Sequence, residues 1–351
     1  MAKLKLKNLE IANNVWMAPL CGVTDLPFRG LVKEQGAGLV HTEMVSSAAL
    51  ARDSKKTFRY MELSGLEHPV SIQLFGCDPA EMGEAARLVD AWGADAIGIN
   101  FGCPVPKVVN HNGGSALLKE PATVFKVVRE VARATDKPVL PKIRLGWDEN
   151  SVNAVEIGRL VEQAGAAALM IHGRTRSQRF SGRANWDAIA EVKRAVSIPV
   201  IGNGDLTRPE EVAEALRNHG VDGVLLARGA MGNPWLFSRS LRLLETGDAG
   251  PETPDEDRVL GFLRHAGLAH GYRGAQGLVE LRKLAPAYLK GLPRSAELRQ
   301  NLNQTSDFAR VDGLLRDYLR DLPRFREECR PRAVQEGAAR EDVPDCALAC
   351  S

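Results

Sequence analysis

The sequence predicts an α/β protein: a (β/α)8 barrel of the TIM type followed by a small C-terminal helical bundle. Three observations lead there. Short apolar runs alternate with longer helical patterns eight times over about 230 residues, the size of such a barrel. The runs are almost continuously apolar, as in Ala96-Ile97-Gly98-Ile99 and Val224-Leu225-Leu226, which is how strands buried on both faces of a parallel sheet read. No GxGxxG follows the first strand, although the competing fold, a doubly wound open sheet, usually announces itself with that turn.

Taken in order, the strands end near Pro19, Glu43, Leu74, Asn100, Ile143, His172, Gly202 and Ala227. Asp78 precedes Pro79 as an N-cap with proline at the first helical position, and Gly93 follows the last turn of that helix. A helix beginning near Ser151 ends at Gly165. Thr207 and Pro209 open another, which Gly220 closes. Pro141 lies inside the fifth strand, where its missing N–H calls for an edge or a bulge. The Gly- and Pro-dense stretch Thr246–Pro254 marks a boundary, dividing a barrel over residues 1–245 from a helical domain over 255–328. In the latter, Leu281, Leu284, Tyr288 and Leu289, then Leu314, Leu315, Tyr318 and Leu319, recur at helical spacing. The tail, 330–351, is polar and without periodicity and reads as disordered. Its Cys346 and Cys350 have no further ligand cluster nearby, so no metal site is expected.

Bulk properties narrow the class. No run of eighteen apolar residues exists, and the first residues lack an apolar signal core, so a cytoplasmic protein without a membrane span is expected. The six cysteines follow no disulfide framework, which fits a reducing compartment. A net charge of +2 is too small to argue a nucleic-acid partner from the whole chain, so any basic surface must be local. One such stretch lies between Arg282 and Arg299, where Arg282, Lys283, Lys290, Arg294 and Arg299 face only Glu297.

Barrels carry their chemistry at the C-terminal ends of the strands. Those positions hold Met17-Ala18-Pro19, Gln73, Asn100 to Cys103, Lys142, His172, Asn203-Gly204-Asp205 and Arg228. Gly202 to Asp205 and Ala227 to Gly232 are small-residue turns after the last two strands, where backbone N–H groups and Arg228 suit a ligand phosphate. Lys142 has two sensible tasks: a Schiff base, as in barrel aldolases, or charge stabilisation of an anionic reduced flavin. Gln73 and Asn100 offer donors and acceptors that suit the uracil-like edge of an isoalloxazine. Cys103, between Gly102 and Pro104, can deliver a proton at neutral pH, since a free thiol titrates near about 8.5.

These residues also form a family pattern. Met17-Ala18-Pro19 with Gly22-Val23-Thr24-Asp25, Gly102-Cys103-Pro104 with Lys107-Val108 and Gly114-Ser115-Ala116-Leu117-Leu118, Lys142-Ile143-Arg144, Ile171-His172-Gly173-Arg174-Thr175, Asn203-Gly204-Asp205 and Gly232-Asn233-Pro234-Trp235 stand in order along the chain. Together they resemble the tRNA-dihydrouridine synthases, the bacterial B-type branch most of all, from about Leu9 to Tyr318. The resemblance implies an FMN enzyme that uses NADPH to reduce the C5–C6 double bond of a uridine in tRNA. Hydride would pass from flavin N5 to C6, and Cys103 would protonate C5. It implies FMN contacts at Met17, Ala18, Pro19, Gln73, Lys142, His172, Asn203, Gly204, Asp205, Ala227 and Arg228. It implies an RNA-facing set of Asn100, Lys107, Arg174, Arg282, Lys283, Lys290 and Arg299. A base inside folded tRNA must be swung out to react, so shape and phosphate contacts should dominate binding. Two departures stand out: Ala227 where the family often has Gly, and Pro141 close to Lys142. The same chemistry on ribosomal RNA, a small-molecule flavin reductase, a Schiff-base aldolase and a non-catalytic RNA-binding protein are the alternatives.

Overall fold

The structure, a computed structural model, describes residues 2–52 and 54–328. The tail and its Cys346 and Cys350 lie outside the described residues. The chain opens with a hairpin, β1 (Leu4–Leu6) and β2 (Leu9–Ile11), paired antiparallel with Leu4 opposite Ile11. Leu4, Leu6, Leu9 and Ile11 alternate with polar residues, and the inward-facing Leu6 and Ile11 are fully buried.

Eight parallel strands follow: β3 (Val15–Met17), β4 (Val40–Ser46), β5 (Val70–Phe75), β6 (Ala96–Asn100), β7 (Val139–Arg144), β8 (Leu169–His172), β9 (Val200–Asn203) and β10 (Gly223–Leu226). Their order is β3-β10-β9-β8-β7-β6-β5-β4. The remaining seam closes through Met17 N–H to Leu39 C=O and Gly38 N–H to Val15 C=O, both 2.9 Å. The barrel interior is filled by Trp16, Leu39, Ala96, Leu140, Ala168, Met170, Ile201 and Leu225, with Leu6 and Ile11 of the hairpin stopping its N-terminal end. A second apolar cluster lies between the strands and the surrounding helices.

The helix signals hold in detail. Asp78 accepts from Glu81 N–H at the head of Pro79–Trp92, and Gly93 ends it at φ 101. Gly165, at φ 100, follows Ala154–Gln163. Glu211 reaches back to the N–H groups of Thr207 and Arg208 at the head of Pro209–Asn218. Pro141 departs from expectation, because β7 is an interior strand. Pro141 pairs with Ile99 on one side. On the other, Val139 C=O accepts from Ala167 N–H and paired residues resume at Lys142↔Met170. The proline therefore removes one rung of a central ladder without marking an edge.

Beyond the linker, Asp255–Leu281 is helical with a break at Arg273 and Gly274, followed by short turns, Ser295–Asn303 and Phe308–Glu328. This helical region packs on the side of the barrel that carries β3 and β4. Phe28 stacks on His265 at 5.7 Å, Arg264 pairs with Glu34, and the Tyr272 hydroxyl donates to Glu62. Gly232, at φ 67, lies so close to Tyr288 N that a Cβ would approach to 2.5 Å. Tyr288, Leu289 and Leu315 belong to the same apolar cluster as the barrel's outer core.

Candidate active site

A cavity of about 700 Å³ opens at the C-terminal mouth of the barrel. It is lined by residues from seven strands or the loops after them, among them Ala18, Met44, Asn100, Cys103, Lys142, His172, Asn203 and Arg228.

One wall is built from the turns after β9 and β10. Gly204 (φ 139) and Asp205 (φ 54) carry the chain through the left-handed region, and a Cβ at Gly204 would lie 2.4 Å from Ala184 Cβ. At Gly229 a Cβ would lie 2.2 Å from Leu206 C=O, so the two turns meet backbone to backbone. The Asp205 carboxylate accepts from Arg174 Nη1 (2.9 Å), Arg174 Nη2 (2.8 Å) and Ala184 N–H (2.8 Å). Burial pushes its pKa up, but these bonds and the nearby arginines outweigh that and hold it below the usual carboxylate range. Arg228 is half exposed, 3.6 Å from Asp205 and stacked 4.6 Å from the Phe180 ring.

At the floor, Lys142 Nζ donates to Asn203 Oδ1 at 3.4 Å. Burial, reinforced by the charge of Arg144, brings its ammonium down to about 7. Burial and the surrounding cations, Lys142 first, hold His172 far below the usual histidine range, so its imidazole is neutral. Its Nε2 faces Arg174 Nη1, a donor, at 3.4 Å, which leaves the ring proton on Nδ1. Gln73 is fully buried, and its Nε2 has no partner among the described residues.

The Cys103 loop is clamped from below. Asn100 Oδ1 accepts from Gly102 N–H (3.0 Å) and Cys103 N–H (2.8 Å), while Asn100 Nδ2 donates to Gln73 Oε1 (2.9 Å). Arg144 Nε donates to Gly102 C=O at 2.8 Å. Ser115 N–H and Oγ–H both donate to Cys103 C=O, at 3.1 and 2.9 Å. Burial raises the Cys103 thiol more than the Val105 backbone and Arg144 lower it, so the group stays protonated at neutral pH.

The cavity gathers Ala18, Pro19, Asn100, Cys103, Lys142, His172, Asn203, Gly204, Asp205, Ala227 and Arg228. Met17 departs from expectation, since its side chain lies in the outer core and is fully buried. Strand alternation turns Trp16 and Ala18 inward and Met17 outward. Arg174 departs as well: it is 1 % exposed and hydrogen-bonded to Asp205, Ser181 C=O and Gly182 C=O. Its guanidinium braces the rim and has no surface to offer RNA. Asn100 is buried and holds the Cys103 loop. Lys107, Lys283 and Lys290 are exposed. Arg282 and Arg299 are half-buried, donating to Thr305 C=O (2.9 Å) and Ser295 Oγ (3.0 Å). Cys21, Arg144 and Phe180 also line the cavity, though the sequence reading did not place them in the site. Arg144 was legible, because it stands two residues after Lys142 and strand period puts both on one face. No local signal marks Cys21 or Phe180.

Polar groups from many strand ends, converging on a cavity at the C-terminal face of a closed parallel barrel, define a (β/α)8-barrel enzyme. The chain belongs to the dihydrouridine synthase family, whose sequence profile it matches over residues 16–322. It is 40 % identical over 306 residues to a probable tRNA-dihydrouridine synthase of Rickettsia bellii, covering 87 % of this chain and 94 % of that one. It is 40 % identical over 308 residues to tRNA-dihydrouridine synthase B of Pseudomonas aeruginosa, covering 88 % and 93 %. Among solved structures, histamine dehydrogenase from Rhizobium sp. 4-9 superposes with TM-score 0.54 at 16 % identity over 76 % of this chain and 50 % of that one. Morphinone reductase in complex with tetrahydroNAD superposes with TM-score 0.52 at 15 % identity over 72 % and 92 %. At that identity the structures speak for the shared barrel alone.

Proposed function

We propose that this protein reduces the C5–C6 double bond of a uridine in tRNA to dihydrouridine, using bound FMN and NADPH as the reductant. The observation that carries the reading is the Cys103 thiol, kept protonated by burial and set at the cavity by a loop that Asn100 and Arg144 fasten through its backbone. The names of the tRNA-dihydrouridine synthases it resembles support the choice of substrate.

The residues present fit a flavin. Gln73 Nε2 is a buried donor without a partner, the kind of group that a ring carbonyl would satisfy. The left-handed turn at Gly204 and Asp205, with Arg228 beside it, forms a cradle for a terminal phosphate. The cavity volume falls within the range of about 300–1,000 Å³ usual for small-ligand sites. Bound there, FMN would supply the hydride that adds to C6.

The protein's own residues do the rest. Lys142, with its pKa near 7, can carry positive charge when negative charge develops beside it and lose little by being neutral otherwise. His172 is a neutral donor through Nδ1. Cys103 gives the proton to C5. A thiol with a raised pKa is poor as a nucleophile but well suited to that donation, because it is protonated whenever substrate arrives.

The test is an absorbance spectrum of the purified protein, followed by anaerobic NADPH and then an unmodified tRNA transcript. A flavin spectrum that bleaches with NADPH and recovers on adding tRNA is expected. Recovery with ribosomal RNA or free uracil but not tRNA would overturn the substrate. A colourless protein that cannot be reconstituted with FMN would overturn the chemistry.

A further inference from the structure

The loops after β6, β7 and β8, which reach the cavity through Cys103 and Phe180, meet one another and bring basic residues together. Arg176 N–H donates to Gly146 C=O (2.9 Å) and Ser177 N–H to Trp147 C=O (3.0 Å), so the loop after β8 is fastened to the loop after β7. Trp147 has two cations against its ring: Lys119 Nζ and the Arg176 guanidinium carbon, each 4.2 Å from the centroid. Arg179 sits in the left-handed region at φ 51, and its carbonyl is held by Arg144 Nη1 at 2.9 Å. Arg183 follows, exposed.

None of Lys119, Arg176, Arg179 and Arg183 forms an ion pair among the described residues. The adjacent acidic residues do not neutralise them: Asp148 bonds to its own turn through Ser151 Oγ and Asn150 N–H, and Glu120 and Glu149 are exposed without ion pairs. In the helical region Arg294, Arg316, Arg320, Arg324 and Arg326 are each paired with a carboxylate, while Lys283, Lys290 and Arg299 form no ion pair among the described residues. Contact with an aromatic face fixes a cation in space and leaves its charge available to a third party. A loop held in a strained conformation by a buried arginine is also ordered before any partner binds.

Position gives the cluster its meaning. In the strand order, β7 and β8 lie four places from β3 and β4, directly across the barrel. The helical region packs on the β3–β4 side, so the cavity mouth lies between the two. We propose that Lys119, Arg176, Arg179 and Arg183 form a second phosphate-binding surface for RNA, gripping the strand across the cavity from the helical region. This rests on the reading of an RNA substrate. A nucleotide drawn into the cavity would then be flanked by phosphate contacts on both sides, which oppose its return to the stack.

The experiment compares the wild type with R176Q/R179Q/R183Q, measuring the Kd of an unmodified tRNA transcript across a range of salt concentrations. Each phosphate contact removed lowers the slope of log K against log salt by about 0.7–0.9. The triple variant is expected to bind at least about tenfold more weakly at physiological salt, with a slope about 2 smaller. Its flavin content and its rate of reduction by NADPH should match the wild type. An unchanged Kd and slope, in a protein whose wild type does turn over tRNA, would overturn this surface and leave the functional reading standing. A wild type whose reduced flavin tRNA does not reoxidise would overturn both. R176K/R179K/R183K guards against a folding defect in the glutamine variant. Retention of the wild-type salt slope supports the proposal, and a loss equal to that of the glutamine variant, with flavin intact, refutes it.

Discussion

Replacing Lys142 with methionine should make the flavin-free protein more stable, and by an amount that depends on pH. The ammonium is held near 7 in the folded state against an ordinary 10.5, because burial and the Arg144 charge oppose it. The unfolded chain therefore binds more protons than the native one between pH 7 and 10.5, and the stability of the wild type rises with pH through that window. At about 1.36 kcal/mol per unit, the ceiling on the penalty is about 4 kcal/mol at pH 7 and about 2 kcal/mol at pH 9. Solvent reaching Lys142 through the cavity screens part of this, so about 2 kcal/mol at pH 7 is expected, vanishing only above the ordinary 10.5. Methionine fills the same volume and adapts its shape. Urea unfolding of both proteins, freed of flavin, at pH 7 and pH 9 measures the difference. Every other titrating group is common to the two and cancels. A methionine variant no more stable at pH 7, or a difference that does not move with pH, would refute the claim that Lys142 is held against its own solvation. The same variant should bind flavin more weakly and reduce it more slowly, as a destabilised functional group implies.

Three further outcomes follow from the site and its support. Cys103→Ala should retain full flavin content while turnover on tRNA falls by at least about 100-fold, the scale of a lost general acid; undiminished turnover would remove Cys103 from the proton-donor role. Asn100→Ala strips the acceptor from two loop N–H groups and should lower kcat by about 100-fold through misplacement of the thiol, with single-turnover reoxidation by tRNA as the measurement. Arg29→Met leaves the fully buried Glu67 without its partner, 2.6 Å away. It should lower unfolding free energy by about 3–5 kcal/mol, and R29M/E67M should recover most of that; equal urea midpoints for the two variants would contradict the reasoning.

The strands were legible because burial on both faces leaves few polar residues in them, and the helix ends because caps are local chemistry. Asp78 and Gly93 act as their sequence implies. The hairpin at the N-terminal end carried a period-two signal in Leu4, Leu6, Leu9 and Ile11 that a reading aimed at signal peptides passes over. Misreadings arise where a residue's role depends on a partner distant in sequence. Arg174 has the composition of an RNA contact, but Asp205 and the turn at 181–182 bury it. The arginines at 176, 179 and 183 carry no signal in the sequence, because only the closed barrel sets them opposite the helical region. Pro141 shows the limit of a local rule: one lost rung is tolerated when the strand has neighbours on both sides.

The junction of β3 with β10 has a consequence for how the chain is made. β3 receives its partner β10 only through Val224↔Val15 and the two pairs beside it, so about 210 residues must leave the ribosome between the two. At about 5–20 residues per second, the growing chain spends roughly 10–40 s as an open sheet with the free side of β3 exposed. The seam between β3 and β4 forms early, since Leu39 and Gly38 lie close behind Met17. Synthesis therefore winds the sheet from one side, and the last strand to emerge locks it. The helical region rests on Gly232 and Trp235, which follow β10, as well as on Phe28 and Glu34, so the surface that receives it is complete only after that lock has closed.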